Sequence, residues 1–158
     1  MKIIFKRIFL LFLLIFLSFT ITYGQLKIYQ FEQLDSLQNV ESRTIIVFIH
    51  TDWCKFCQAM KSKTFTDSIL IKRINSKFYF IDFNAENQKD IYFKEKYFKS
   101  NSTKFNPDIH DLAIELAVVN KNITFPTLCF LNSNYEILFQ YNQYLTAKSL
   151  INILDRLE

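Results

Sequence analysis

Two short stretches of this chain stand out, Thr44 to His50 (TIIVFIH), which is a continuous apolar, β-branched run, and Phe78 to Phe83 (FYFIDF), which is aromatic and apolar but for one acid. A strand with one wet face alternates polar and apolar side chains. An unbroken β-branched and aromatic run therefore marks a strand covered on both faces. Around these runs the apolar spacing becomes helical. Phe31, Leu34, Leu37 and Val40 recur at threes and predict a short helix between Gln30 and about Asn39. A helix is expected to begin near Cys54, with Phe56 and Met60 on one face. Asp67 reads as the N-cap of a further helix holding Ile69, Leu70 and Ile74. Asn106-Pro107-Asp108 reads as a helix start, with Leu112, Leu116 and Val119 as the buried stripe and His110 facing solvent from the first turn. Thr127 to Leu131 is a third strand. Asn132-Ser133-Asn134 turns the chain, with Asn in the left-handed position, into a hairpin strand from Ile137 to Tyr141. Thr146 caps a last helix with Leu150, Ile153, Leu154 and Leu157 inside. Strands alternating with helices, then a hairpin, predict an α/β fold: one mixed sheet with helices on both faces.

The segment from about Asn84 to Asn106 fits neither period. Ile91, Phe93 and Tyr97 suggest a small extended hairpin, and Lys99 to Asn106 a polar loop. It reads as surface decoration inserted in the domain. The lysines at 27, 61, 63 and 94 to 99 read as solvated faces, and the aromatic excess as core filling, with no cofactor box.

Lys2, Lys6 and Arg7 open the chain, and no residue from Ile8 to Leu26 is charged. A basic start, an apolar run through Leu17 and small residues at Thr22 and Gly24 read as a signal peptide spanning 1–24. An uncleaved anchor is the competing reading. Both put the body, residues 25–158, on the exported side, in the periplasm or cell envelope. With the leader removed, acids and bases are near balance, so a nucleic acid partner is not expected. Gly24 is the only glycine. The body therefore has no Gly-rich phosphate loop, which excludes P-loop and dinucleotide-binding readings.

Three cysteines in an exported domain do not make a disulfide scaffold. Cys129 lies in an apolar strand and is expected to be an inert buried thiol. Cys54 and Cys57 form a C-x-x-C directly after a buried strand. That junction puts the first sulfur at a helix N-terminus, where unpaired N–H groups and the helix dipole stabilise a thiolate. Cys54 is thus the expected attacking thiol, and Cys57, one turn on and more buried, the resolving one. Lys55 and Phe56 lie between them as tuning residues, an exposed Lys contributing little. A structural bridge and half a metal site are the alternatives. The metal site needs two more ligands, and only His50 is near in sequence.

The words Asp52-Trp53-Cys54-Lys55-Phe56-Cys57, at a strand end, and Phe125-Pro126-Thr127, opening a later strand, resemble the thioredoxin superfamily. The likeness runs from about Thr44 to the C-terminus. With Thr64-Phe65-Thr66-Asp67 it more narrowly resembles exported thioredoxin-like proteins and the periplasmic domain of membrane thiol–disulfide interchange reductases. The resemblance implies a three-layer thioredoxin-like fold over residues 25–158, with an insertion at about 85–106 before a cis-Pro. It implies a cis Phe125-Pro126 bond beside Cys54, a position that favours Pro. It also implies a substrate-binding wall made by Trp53, Phe125, Pro126 and Thr127, with Phe125 offering its backbone to substrate. The implied activity is reduction of protein disulfides without a cofactor or metal, with disulfide-containing clients and a membrane electron donor as partners. Oxidase or isomerase activity, and a non-catalytic copper- or partner-binding role, are the alternatives. Three departures stand out. The buried acid usual six residues before the first Cys is Phe48, the often aromatic position four before it is His50, and the stretch before the Pro is long. His50 becomes the candidate proton relay.

Overall fold

A computed structural model describes residues 24–100 and 109–157. The leader up to residue 23 and the expected helix start at Asn106-Pro107-Asp108 lie outside the described residues. A 3₁₀ turn, Phe31–Gln33, runs into α1, Leu34–Val40. The first apolar run is β1, Thr44–His50. After it come α2, Lys55–Ala59, a π turn, Met60–Thr64, and α3, Ser68–Lys77, which leads into β2, Phe78–Asn84. Two small hairpins flank α4, Asp111–Ala117: β3, Ile91–Phe93, with β4, Lys96–Phe98, and β5, Val118–Val119, with β6, Asn122–Ile123. The chain closes with β7, Thr127–Leu131, β8, Ile137–Tyr141, and α5, Ala147–Leu154.

The main sheet has the order β2-β1-β7-β8. The helical crossover makes β1 and β2 parallel, paired from Thr44↔Phe78 to His50↔Asn84. β7 runs antiparallel to both β1 and β8. Alternation along β1 then builds two cores. Ile45, Val47 and Ile49 pack with Leu34, Leu112 and Leu116. Ile46 and Phe48 pack on the other side with Cys57, Met60, Leu70 and Leu150. The expected mixed sheet with helices on both faces is what the chain forms. Side-chain caps hold the helix starts: Asp67 accepts from the Ile69 and Leu70 N–H groups, and Thr146 from that of Ser149.

Several local expectations are corrected. Phe56 does not share a buried face with Met60; it is exposed, and Cys57 points inward instead. Ile69 is exposed as well. Val119 belongs to β5, not to the buried stripe of α4. The inserted segment, as far as residue 100, is not surface decoration, and the rest of its expected polar loop lies outside the described residues. Ile91, Phe93 and Phe98 are buried in the same core as Val47, and the Phe93 ring lies 5.1 Å from Phe31 and 5.0 Å from Tyr135. In a body without glycine, left-handed backbone must fall elsewhere: on Lys94 and Glu95 in one hairpin turn, Asn120 and Lys121 in another, and Tyr135. At the last turn the Asn132 carboxamide is occupied in accepting from the Asn134 and Glu136 N–H groups. The left-handed position passes to Tyr135, whose hydroxyl donates to Asp35.

His110 is also corrected, because it is buried at 1% exposure and caps α4. Its Nδ1 accepts from the Leu112 N–H at 3.1 Å while Nε2–H donates to the Lys89 carbonyl at 3.0 Å, an arrangement only the neutral ring can make. Burial lowers its pKa, and the Lys89 carbonyl, Asp111 and Asp90 oppose this without reversing it. As pH falls below the unfolded value of about 6.5, the unfolded chain binds a proton that the native ring refuses, so stability is lost. The urea midpoint is expected to fall between neutral and mildly acid pH, and His110→Asn, which keeps a cap without titrating, is expected to flatten that fall. An equal acid slope in the variant would remove His110 as its source.

Candidate active site

β1 ends at His50, and the chain turns at once. The Cys54 N–H donates to the carbonyl of buried Thr51 at 3.3 Å, leaving Asp52 and Trp53 exposed on the turn. Cys54 takes extended backbone as the N-cap of α2, where Ser or Asp would commonly stand. Its Sγ accepts from the Cys57 N–H at 3.1 Å. The two cysteines are disulfide-bonded, with Cα atoms 5.2 Å apart. Cys57 is 1% exposed and Cys54 6%, so Cys54 is the sulfur nearer solvent.

Around Cys54 the surface is aromatic. Trp53 is 67% exposed; its ring meets Phe125 edge-on at 6.2 Å, and its Nε1–H donates to Glu86 at 2.9 Å. The Phe125–Pro126 peptide is cis. Phe56, Phe125, Pro126, Asn142, Gln143 and Tyr144 line a groove of about 390 Å³. Thr127 is buried, its hydroxyl donating to the Thr124 carbonyl at 2.7 Å, so it braces the Pro turn from inside. Lys55 is exposed. Cys129 is free and fully buried, and burial pushes its thiol up to about 12, so its reactive form is absent at ordinary pH.

Beneath the α2 side of the sheet lies a charged cluster. His50, 4% exposed, stacks on Phe48 at 5.4 Å. Its Nε2 is 2.9 Å from Asp82 Oδ1 and 2.9 Å from Lys61 Nζ, and Lys61 Nζ is 2.9 Å from Asp82 Oδ2. Lys61, expected as a solvated charge, is exposed and also paired with Asp82, its ammonium 6.0 Å from the Phe48 ring centroid. Asp82 is the register partner of Phe48, so the acid absent from β1 stands directly across on β2.

The fold brings Cys54, Cys57, Trp53, Phe125, Pro126 and His50, all expected at the site, to one end of β1. Asp82, Lys61, Glu86 and Tyr144 join them there from outside the expected set. Asp82 carried a signal, as the one charge inside the buried FYFIDF run, because a carboxylate there needs a partner. Lys61 follows Cys57 by four residues, which places both on one helix face.

A family profile described as a thioredoxin-like domain matches residues 30–158. No curated protein sequence matches the chain. Among solved structures it is similar to DsbH oxidoreductase, at 16% identity over 85% of each chain with a TM-score of 0.58. It is similar to a thioredoxin from Thermus thermophilus at 15% identity, covering 85% of this chain and 88% of that one, TM-score 0.59. It is also similar to the Neisseria meningitidis DsbD C-terminal domain in the reduced form, at 12% identity over 79% and 90%, TM-score 0.54. At these identities the likeness is one of fold. With the profile covering nearly all of the described body, a Cys54-x-x-Cys57 disulfide at the end of β1 and the mixed sheet around it, the chain belongs to the thioredoxin-like domain family.

Proposed function

We propose that this chain is an exported thiol–disulfide oxidoreductase that reduces protein disulfides. The observation that carries the reading is Cys54 at the N-cap of α2, its Sγ taking the Cys57 N–H, with a buried partner sulfur one turn on. In the dithiol form the Cys54 thiolate attacks a client disulfide. One client sulfur leaves as a thiol after taking a proton, and a Cys54–client disulfide forms. Cys57 then attacks Cys54 Sγ, the mixed disulfide breaks, and the second client sulfur leaves. The client gains two electrons and two protons, and the Cys54–Cys57 disulfide returns. Trp53, Phe125 and Pro126 wall the approach, with Thr127 behind them and Lys55 and Phe56 flanking the attacking sulfur. His50 is the proposed proton relay.

A cycle in this direction needs a dithiol donor, and the basic leader supports export beside a membrane electron source. The reducing direction is supported by how little stabilises the thiolate: one helix end and one exposed Lys. The test compares the two directions. With the reduced protein as sole reductant, insulin is expected to be cleaved and its B chain to precipitate. The oxidised protein is expected to reoxidise a reduced, unfolded client no faster than buffer alone. Faster oxidation of the client than reduction of insulin would overturn the direction.

A further inference from the structure

We propose that the outer edge of β8 takes a segment of the client as an added strand, so that disulfides lying beside an extended, uncharged, apolar run are selected. The inference rests on the reading of this chain as a disulfide reductase and names the client class it takes. The two edges of the main sheet are treated differently. Along β2 the segment before the first 3₁₀ turn is laid on the edge: Ile28 bridges to Phe80, and the Tyr29 N–H donates to the Phe80 carbonyl at 2.8 Å. The β8 edge has no such cover. β8 pairs only with β7, and among the described residues its outward N–H and C=O groups have no backbone partner. Edge strands are normally guarded by a Lys, a Pro or a covering segment. Ile137 to Tyr141 (ILFQY) contains no Lys or Pro, and Ile137, Leu138 and Phe139 are between 40% and 49% exposed.

The occupant follows from position, size and charge. β8 runs straight into Asn142, Gln143 and Tyr144, which line the active-site groove with Phe56, Phe125 and Pro126. Groove and edge are thus continuous, and a client segment adjoining the disulfide at Cys54 has the edge as its next surface. The one irregularity, the extra residue Leu138 between the Phe130↔Phe139 and Leu131↔Ile137 pairs, lies at the far end, so the edge is regular over Phe139–Tyr141, where it meets the groove. A five-residue edge is roughly 17 Å long at about 3.4 Å per residue. That suits strand addition, in which main-chain hydrogen bonds hold a short extended peptide. It is small for a second copy of this chain, because a stable interface takes about 800 Å² from each partner. No residue from Ile137 to Ala147 is charged, so a charged client segment loses water there without gaining a partner. On one face the added strand lies beside Tyr141 and Phe139, whose ring stacks on Phe130 at 5.9 Å. On the other it lies beside Gln140, which is tied to the Leu116 carbonyl at 2.8 Å. Aromatic neighbours across a strand pair favour β-branched and aromatic side chains.

The test compares two peptides with the same disulfide, one carrying a short Val-Ile-Thr run beside it and the other a Gly-Ser run, each run placed in turn before and after the disulfide. Single-turnover reduction by the reduced full chain is followed by acid quench and chromatography. In the native protein the apolar run, on one side of the disulfide, is expected to raise the second-order rate about tenfold, the equivalent of about 1.4 kcal/mol. Leu138→Lys and Phe139→Lys, which put a charge on the edge, are expected to bring that ratio close to one and to reduce the Gly-Ser peptide at the native rate. Either variant suffices if the other fails to fold. Hydrogen exchange gives a readout that loose apolar contact does not move. With the apolar peptide held on Cys54 in Cys57→Ser, the outward amides of Ile137–Tyr141, alternate along an antiparallel edge, are expected to exchange about tenfold more slowly. Exchange unchanged by the peptide, or a preference that survives in both folded variants, would overturn the proposal. A dimer in sedimentation that Leu138→Lys dissolves, with β8 unprotected in the trapped complex, would give the edge to a second copy and also overturn it. Failure of the native protein to reduce either peptide would instead overturn the redox reading on which it rests.

Discussion

Cys54→Ser is expected to bring insulin reduction down to the uncatalysed background, while Cys57→Ser is expected to accumulate mixed disulfides with clients. The asymmetry follows from placement. Only Cys54 sits at the end of α2 with its sulfur receiving an N–H, and a serine hydroxyl there is not ionised at neutral pH. Cys57, 1% exposed, cannot reach a client disulfide first, but it stands next to Cys54 once a client is attached. Without it the first step still runs and the product is held. Non-reducing gels of Cys57→Ser after exposure to oxidised clients provide the check. Capture by Cys54→Ser in place of Cys57→Ser would reverse the two roles.

Phe93→Ala is expected to destabilise the domain by about 3–5 kcal/mol, the usual cost of truncating a buried aromatic. Phe93 is 4% exposed, and its ring contacts Phe31 and Tyr135, one from the segment before α1 and the other from the β7–β8 turn. Little can collapse into that space, because its neighbours belong to separate elements that cannot move together. The loss is a large part of a typical total stability of about 5–15 kcal/mol. Urea unfolding decides the matter. A change within roughly 0.5 kcal/mol, as for a surface site, would return the inserted hairpin to the status of decoration.

What was legible in the sequence was local. The strands β1, β7 and β8 could be read to the residue because their apolar runs are bounded by turn chemistry, and the caps at Asp67 and Thr146 because they need only their own next turn. The misreadings share a cause in contacts between segments far apart in the chain. Phe93 alternates with exposed Tyr92 like any edge strand, and its burial depends on Phe31, some sixty residues earlier. His110 looks solvent-facing until the Lys89 carbonyl and the Phe83 ring close over it. At the active site the C-x-x-C and the Phe125-Pro126 pair could be read as words. The register that sets Asp82 opposite Phe48 is a property of two parallel strands joined by two helices, and no local pattern reports it. Lys61 is exposed as expected, and its pairing with Asp82 is illegible for the same reason, since that partner is on the sheet below it.

The reduction potential of the Cys54–Cys57 pair tests the central claim most directly. It is measured by equilibration against glutathione and read from the single tryptophan, Trp53, beside the disulfide. Stabilising the Cys54 thiolate favours the dithiol and raises the potential. A single helix end and one exposed Lys are expected to move it by only tens of millivolts, since about 30 mV corresponds to 1.4 kcal/mol for two electrons. The expected value therefore lies nearer to about −270 mV, as in thioredoxin, than to the roughly −120 mV of a strong periplasmic oxidant. A value above about −160 mV on that scale would contradict the assignment of this chain as a reductase.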